Sequence, residues 1–213
     1  TAGWKAGDRV TFDSTVYPLN DWYTLEGRYN LSDNRQVLGV SPGEYRRNGA
    51  FAEKVAVPGH ILYRIPDTVS FEEAAMTEAA AVALHAINLG RIKTGESCIV
   101  SGTGMIGIFA VKLLVISGAG KIIALDTDAQ KLKGAMECGA GYVFDPSAKD
   151  LSSLIASLTS SRGADISFEA AGTGESVNTL IDLTRKGGTV VLIGNTSRTV
   201  EFPLQKVVTR ELR

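Results

Sequence analysis

Cysteine is scarce in this 213-residue chain, and that scarcity excludes several architectures at once. Cys98 and Cys138 offer neither a metal-ligand spacing nor a disulfide framework, so both read as small buried apolar residues in a reducing compartment. No run of eighteen apolar residues occurs, which excludes a membrane-spanning helix. The opening Thr1-Ala2-Gly3-Trp4-Lys5 lacks the basic-then-apolar layout of a signal peptide. Nothing directs the chain to a membrane or out of the cell, and a cytoplasmic protein is expected. An excess of one charge is missing too. Lys and Arg number 22 against 23 Asp and Glu, a formal net charge of −1, without the basic face that nucleic acid requires. The remaining composition, 44% hydrophobic, is sufficient for one sizeable core or two modest ones.

Glycine is plentiful at 23 residues, and its placement is informative. The apolar run Ser97-Cys98-Ile99-Val100-Ser101 enters Gly102-Thr103-Gly104-Met105-Ile106-Gly107, a G-x-G-x-x-G turn, and a helix-like stretch leaves it. In a dinucleotide-binding turn Gly102 permits the tight turn, Gly104 lets the backbone approach a pyrophosphate, and Gly107 lets the helix pack on its strand. The free N–H groups of the helix start then face the phosphates. The motif alone is weak, and its flanks strengthen it. A second apolar run, Lys121 to Leu125, ends in Asp126, 24 residues beyond Gly102, where such folds place the carboxylate that holds the adenosine ribose. No arginine follows, only Thr127 and Asp128, which favours NAD over NADP. The alternative is that Asp126 merely caps the helix beginning near Ala129.

The chain changes character near residue 66. Up to Ile65 it is irregular β structure, with strand-like Arg9–Phe12 and Phe51–Val57 and turn dipeptides Gly7-Asp8 and Pro42-Gly43. Ser70 and Glu73 then form a capping box, with Val69 placed to staple onto Ala74. Beyond it strands at 97–102, 121–126, 141–145, 165–170 and 188–194 alternate with helices at 71–89, 104–117, 128–138, 148–160 and 174–185. That alternation predicts an α/β fold, a Rossmann-type doubly wound parallel sheet covered on both faces.

If the first helix runs unbroken, Phe71, Ala74, Ala75, Glu78, Ala81, Val82 and His85 fall on one buried stripe. Glu78 is the anomaly there. A buried carboxylate must be protonated, paired, bound to a metal or placed at a cleft, and an ordinary surface or capping acid is the plainer explanation. His85 reads as a hydrogen-bonded core residue.

Gly7-Asp8-Arg9-Val10, Gly49 to Glu53, Ala75 to Glu78 with Ala81 to Ala86, Gly102 to Gly107 and Lys186 to Gly194 follow one another as in the zinc-dependent medium-chain alcohol dehydrogenases. The chain resembles that family over essentially its whole length, its polyol (sorbitol-like) and threonine dehydrogenase branch most. The resemblance implies that residues 1–70 are part of a GroES-like barrel catalytic domain and 71–213 an NAD-binding domain truncated at its C-terminal end. It implies that Glu78 is a zinc ligand or zinc-site acid. Val82 and Ile106 would pack on the nicotinamide, and Met105 and Ile106 would offer N–H groups to the pyrophosphate. Lys131 would reach the ribose beside Asp126, while Ala171 and Gly194 would border the nicotinamide with their backbone. The plain reading of each apolar position is core packing, and of Lys131 a solvated helix face.

The chain departs from the family pattern in places. The four positions of the family's structural-zinc cysteines hold Pro18, Asp21, Thr24 and Ser32, so no structural zinc is expected in the lobe at 16–34, which other contacts must hold. Trp22, Tyr23, Leu25, Tyr29 and Leu31 are expected to pack on the barrel or on a partner subunit. Ala79 stands where the family usually has proline, which leaves the helix unkinked. The family's Cys ligand, Gly-His-Glu motif and proton relay are not in this sequence, so the catalytic residues remain unassigned. For the complete protein the resemblance implies one catalytic zinc that polarises a small alcohol or polyol for hydride transfer to NAD, in a homo-oligomer, dimer or tetramer. The isolated segment is expected to bind NAD weakly, if at all, and to catalyse nothing. Two alternatives stand beside this: a zinc-free dinucleotide-binding reductase, disfavoured by Asp126 and Glu78, and a non-catalytic NAD-binding module.

Overall fold

The computed structural model describes residues 3–39, 43 and 46–213, so Pro42 of the expected Pro42-Gly43 turn lies outside the described residues, as do Thr1 and Ala2. The chain divides into two compact units, Thr1–Glu78 and Ala79–Arg213. Among the described residues no helix is long and apolar enough to cross a membrane.

The first unit carries β1 (Val10–Phe12), β2 (Thr15–Val16), α1 (Trp22–Leu25), β3 (Gln36–Leu38), β4 (Arg46–Arg47), β5 (Leu62–Arg64) and α2 (Phe71–Ala75). β1 pairs antiparallel with β5, while β2, β3 and β4 form a second small sheet. Leu38, Ile61, Ile65 and Ala74 are the buried apolar side chains among the described residues of this unit. The strand expected over Phe51–Val57 is absent: the segment is irregular, and Phe51 and Val55 are exposed. Its apolar pattern suits a strand, but a strand exists only where a neighbour satisfies its backbone, and no described segment pairs with it.

The capping box forms as expected, with Glu73 N donating to Ser70 Oγ at 3.0 Å and Ser70 N to Glu73 Oε2 at 2.8 Å. The helix does not run on to residue 89. The Met76 N–H turns back to Glu73 O at 3.1 Å, closing α2 with a tight last turn, and α3 (Thr77–Gly90) begins afresh. This break arises without a proline, contrary to the straight helix inferred from Ala79. The expected stripe is also displaced. Ala79, Ala83, Ala86, Ile87 and Gly90 are buried, whereas Phe71, Glu78, Val82 and His85 are exposed. In so alanine-rich a helix hydrophobicity barely separates the faces, and side-chain size decides. At Gly90 even a Cβ would come within 2.9 Å of Phe168 Cζ, so the helix lies down on its smallest residues. His85 is therefore not a core histidine.

The second unit continues through β6 (Ser97–Ser101), α4 (Met105–Ile116), β7 (Lys121–Leu125), α5 (Ala129–Glu137), β8 (Tyr142–Phe144), α6 (Leu151–Leu158), β9 (Ala164–Glu169), α7 (Gly174–Leu183), β10 (Thr184–Leu192) and α8 (Leu204–Thr209). The strands form one parallel sheet in the order β10-β9-β6-β7-β8. Side chains of successive strand residues point to opposite faces, and two cores result. Cys98, Val100, Ile122 and Ala124 pack with α3, α4 and α5 on one face. Ile99, Ile123 and Leu125 pack with α6 and α7 on the other. The doubly wound α/β reading is thereby observed. Burial pushes the Cys98 thiol up to about 12, as suits an inert core residue, while Cys138 is only half-buried at the end of α5.

The helix expected over 174–185 stops at Leu183 because Thr184 already pairs with Ala164, and β10 reaches its main register only after a shift between Thr184 and Thr189. α8 was not expected. At the outer edge of β10 the backbone of Arg213 donates to Gly188 O at 3.1 Å and accepts from Val190 N at 2.7 Å.

Candidate functional site

The sheet order reverses between β6 and β9, and ligands of such sheets bind outside the carboxyl ends of the strands at that switch point. The glycine turn sits there. Gly102 has a φ of +88°, and a Cβ on it would meet Ala171 N at 2.6 Å; a Cβ on Gly107 would meet Gly102 O at 1.9 Å. Both glycines are thus required by the fold itself. Gly104 is different. Its φ is −66°, and, its chain neighbours aside, a Cβ built on it would find no atom of the described residues within 4 Å. Neither backbone conformation nor packing explains it. Glycine there keeps clear a space that no atom of the described residues takes up, next to the start of α4, which none of their side chains caps. The first bond of the α4 ladder runs from Ile108 N to Gly104 O at 2.9 Å, so the N–H groups of Met105, Ile106 and Gly107 have no acceptor within the helix. This cradle fits a pyrophosphate.

At the end of β7 the Asp126 carboxylate meets the same turn. Thr103 donates to Oδ2 through its N–H at 2.8 Å and its hydroxyl at 3.1 Å, and Asp128 N donates to Oδ1 at 3.0 Å. Burial pushes this carboxyl up. The bonds from Thr103 and Asp128 outweigh that effect, with help from the nearby Lys131 charge, and hold the carboxyl below its ordinary value. Asp126 is not the cap of α5. That role belongs to Asp128, which accepts from Gln130 N at 2.8 Å and Lys131 N at 3.3 Å. The capping alternative for Asp126 is thereby removed. Lys131 is exposed on α5 near Asp126.

On the other side of the switch point the ends of β9 and β10 close over one another. Ile193 N and Gly194 N both donate to Glu169 O, at 2.8 and 3.0 Å, and a Cβ on Gly194 would meet Gly172 N at 2.2 Å. Ala171 lies exposed beside Gly102, and Gly194 is half-buried. The fold therefore brings Gly102, Gly104, Met105, Ile106, Gly107, Asp126, Ala171 and Gly194 to one end of the sheet. Val82 stands on the exposed face of α3 beside the buried Ala83, and Glu78 is exposed in the first turn of that helix. Among the described residues no group of three or more His, Cys, Asp or Glu side chains could hold a metal ion. Thr103 and Glu169 were missed from the sequence. Thr103 fills a variable position of the motif, and Glu169 reads as the last polar residue of a strand.

In the lobe, three of the four positions that the resemblance matched to the family's cysteines meet. Ser32 Oγ donates to Asp21 Oδ2 at 2.6 Å and Thr24 Oγ1 to the same oxygen at 2.9 Å, while Asp21 Oδ1 caps α1 through Thr24 N at 3.0 Å. Ser32 is fully buried. The Ser32 hydroxyl and the Thr24 amide are the main reasons the Asp21 carboxyl lies below its ordinary value. Tyr29 stacks on Tyr17 with ring centroids 4.3 Å apart, so part of the apolar content packs inward. Trp22 and Leu25 do not. They are 65% and 72% exposed within this chain, so of the two expected arrangements, on the barrel or on a partner subunit, the first does not hold for them; the four-residue α1 has no buried residue.

Residues 106–213 match the family described as zinc-binding dehydrogenase. The chain is 32% identical over 212 residues to D-xylulose reductase of Saccharomyces cerevisiae, covering 98% of this chain and 58% of that protein. It is 32% identical over 200 residues to sorbitol dehydrogenase of Bacillus subtilis, covering 94% of this chain and 55% of that one. A solved structure from Sinorhizobium meliloti 1021, described as a zinc-binding dehydrogenase bound to NADP, superposes with a TM-score of 0.89 at 33% identity, covering 100% of this chain and 62% of that one. The chain thus spans somewhat over half the length of the relatives it matches. With the five-stranded sheet and the turn at its switch point, these likenesses place the chain in the zinc-dependent medium-chain alcohol dehydrogenase family.

Proposed function

We propose that the chain is the cofactor-holding part of an NAD-dependent dehydrogenase that moves a hydride between NAD and an alcohol or polyol, a secondary alcohol becoming a ketone. The observation that carries this reading is Gly104, a glycine demanded by nothing within the chain beside a helix start whose N–H groups lack acceptors. In this reading residues 71–213 form the NAD-binding domain and residues 1–70 part of a GroES-like barrel. NAD supplies, when bound, the ring carbon that accepts the hydride. The work of this chain is to place it. The amides of Met105 and Ile106 hold the pyrophosphate, and Asp126 with Lys131 holds the adenosine ribose. Ile106 and Val82 offer apolar surface to the nicotinamide, and the backbone at Ala171 and Gly194 borders its ring. Asp126 repels a 2′-phosphate, which favours NAD, although the Sinorhizobium relative holds NADP.

A catalytic zinc takes three protein ligands, and Glu78 alone does not fit that requirement. We assign Glu78 to the zinc site only as a contributing acid. The names of the relatives, a xylulose reductase and a sorbitol dehydrogenase, point to polyols as the substrate class. The longer protein is read as cytoplasmic and homo-oligomeric, with no zinc in the lobe.

The test is NADH formation by the full-length protein with a panel of polyols, combined with metal analysis. One zinc per chain is expected, and Glu78→Ala should weaken zinc binding by about 10–100-fold with the fold intact. No NADH with any alcohol, two zincs per chain, or a Glu78→Ala protein with unchanged zinc affinity would each contradict the corresponding assignment.

A further inference from the structure

Glu169 is the most deeply buried acid of the sheet, fully shielded from solvent at the carboxyl end of β9. A carboxylate in such a place is costly unless it is bonded, and this one is bonded on one side only. Its Oε1 accepts from Ala171 N at 3.0 Å and from Gly172 N at 2.8 Å, whereas Oε2 has no hydrogen-bond partner among the described residues. Its own main-chain oxygen takes the N–H groups of both Ile193 and Gly194. One residue therefore ties the turn after β9 to the turn after β10. The surroundings are shaped to admit it. Gly172 has a φ of +77°, and a Cβ on Gly194 would come within 2.8 Å of Glu169 Oε2. The turn that Glu169 fixes is also the one against which Gly102 is packed, with Ala170 N donating to Ser101 O at 2.7 Å.

A dinucleotide whose pyrophosphate rests at α4 and whose adenosine ribose reaches Asp126 on the β7 side must extend its other half across the switch point toward β9 and β10. We propose that Glu169 is a positioning residue for that nicotinamide half: its carboxylate, from beneath, sets the direction of the Ala171–Gly172 backbone and the spacing of the β9 and β10 ends. This rests on the cofactor reading above. Glu169 touches neither cofactor nor substrate. It acts through the backbone it holds, so its loss should be felt by the nicotinamide half and not by the adenosine half.

The experiment compares NAD with ADP-ribose, which lacks the nicotinamide, in the full-length protein. In the wild type the Ala171 and Gly172 amide resonances should shift on adding NAD and stay in place on adding ADP-ribose. Glu169→Leu, which leaves the buried Gly172 N–H and the part-buried Ala171 N–H without their acceptor, should weaken NAD by about tenfold and ADP-ribose by less than about threefold. Glu169→Gln keeps an acceptor oxygen and should restore NAD binding to within about threefold of the wild type. Equal losses of both ligands in Glu169→Leu, an unchanged NAD affinity, or amides that ignore NAD while ADP-ribose still binds would overturn the assignment of Glu169 alone. A wild type that binds neither ligand would remove the cofactor reading and this one with it.

Discussion

Gly104 and Asp126 show how far single residues carry the account. Gly104→Ser places a good helix cap where a Cβ meets nothing, so thermal unfolding should stay within about 0.5 kcal/mol of the wild type. The same side chain would stand in the pyrophosphate cradle, and NAD titration should show affinity lower by tenfold or more, about 1.4 kcal/mol. A large stability loss would mean that Gly104 serves the fold. The position of Asp126 against the glycine turn was legible, because in a strand–turn–helix–strand unit the acid that ends the second strand comes to lie beside that turn. Thr103 and Glu169 were not legible, because their roles depend on which side chain or amide the fold brings up to them. Thr103 matters through a carboxylate 23 positions away, and Glu169 through the amides of a turn whose path no periodicity reveals.

Elements were read well where size and hydrophobicity agree. The strands Ser97–Ser101 and Lys121–Leu125 stand almost as their apolar runs predict. α3 shows the opposite case: its alanines fit either stripe, and packing against Phe168 selected the face bearing Gly90. Phe51–Val57 shows a third, a strand-like sequence without a neighbour. In the lobe, the residues at positions 18, 21, 24 and 32 led only to the expectation that no metal clip is held there, and the hydrogen bonds that link Asp21, Thr24 and Ser32 were not legible. Ser32→Ala should therefore destabilise the first unit by about 1.5 kcal/mol, the low end for a bond to a charged acceptor, as measured by denaturant unfolding. An unchanged midpoint would mean that the loop is held elsewhere. The Asp21 carboxyl is depressed, so its contribution is complete above the ordinary carboxyl value of 3.8 and is lost as the pH falls through the lower folded value. Protection of the Thr24 amide, taken relative to the intrinsic exchange rate at each pH, should fall in that acidic window and stay constant above it.

Across the chain, the alternation of strands and helices was sufficient to predict a doubly wound sheet, and the observed order β10-β9-β6-β7-β8 puts the glycine turn at its switch point. The division into two units falls between Glu78 and Ala79, inside α3, where no turn or linker composition marks it in the sequence. The carboxyl ends of β6, β7, β9 and β10 carry most of the features assigned to the dinucleotide, the others being Val82 on α3 and Lys131 on α5, and cofactor binding is the property on which all of them bear. The decisive experiment is parallel titration of NAD and NADP against the full-length wild type and its Asp126→Gly variant. The wild type should prefer NAD by at least about tenfold, and the variant should lose most of that preference as the repulsion of the 2′-phosphate disappears. Equal affinities for the two cofactors in the wild type would contradict the account.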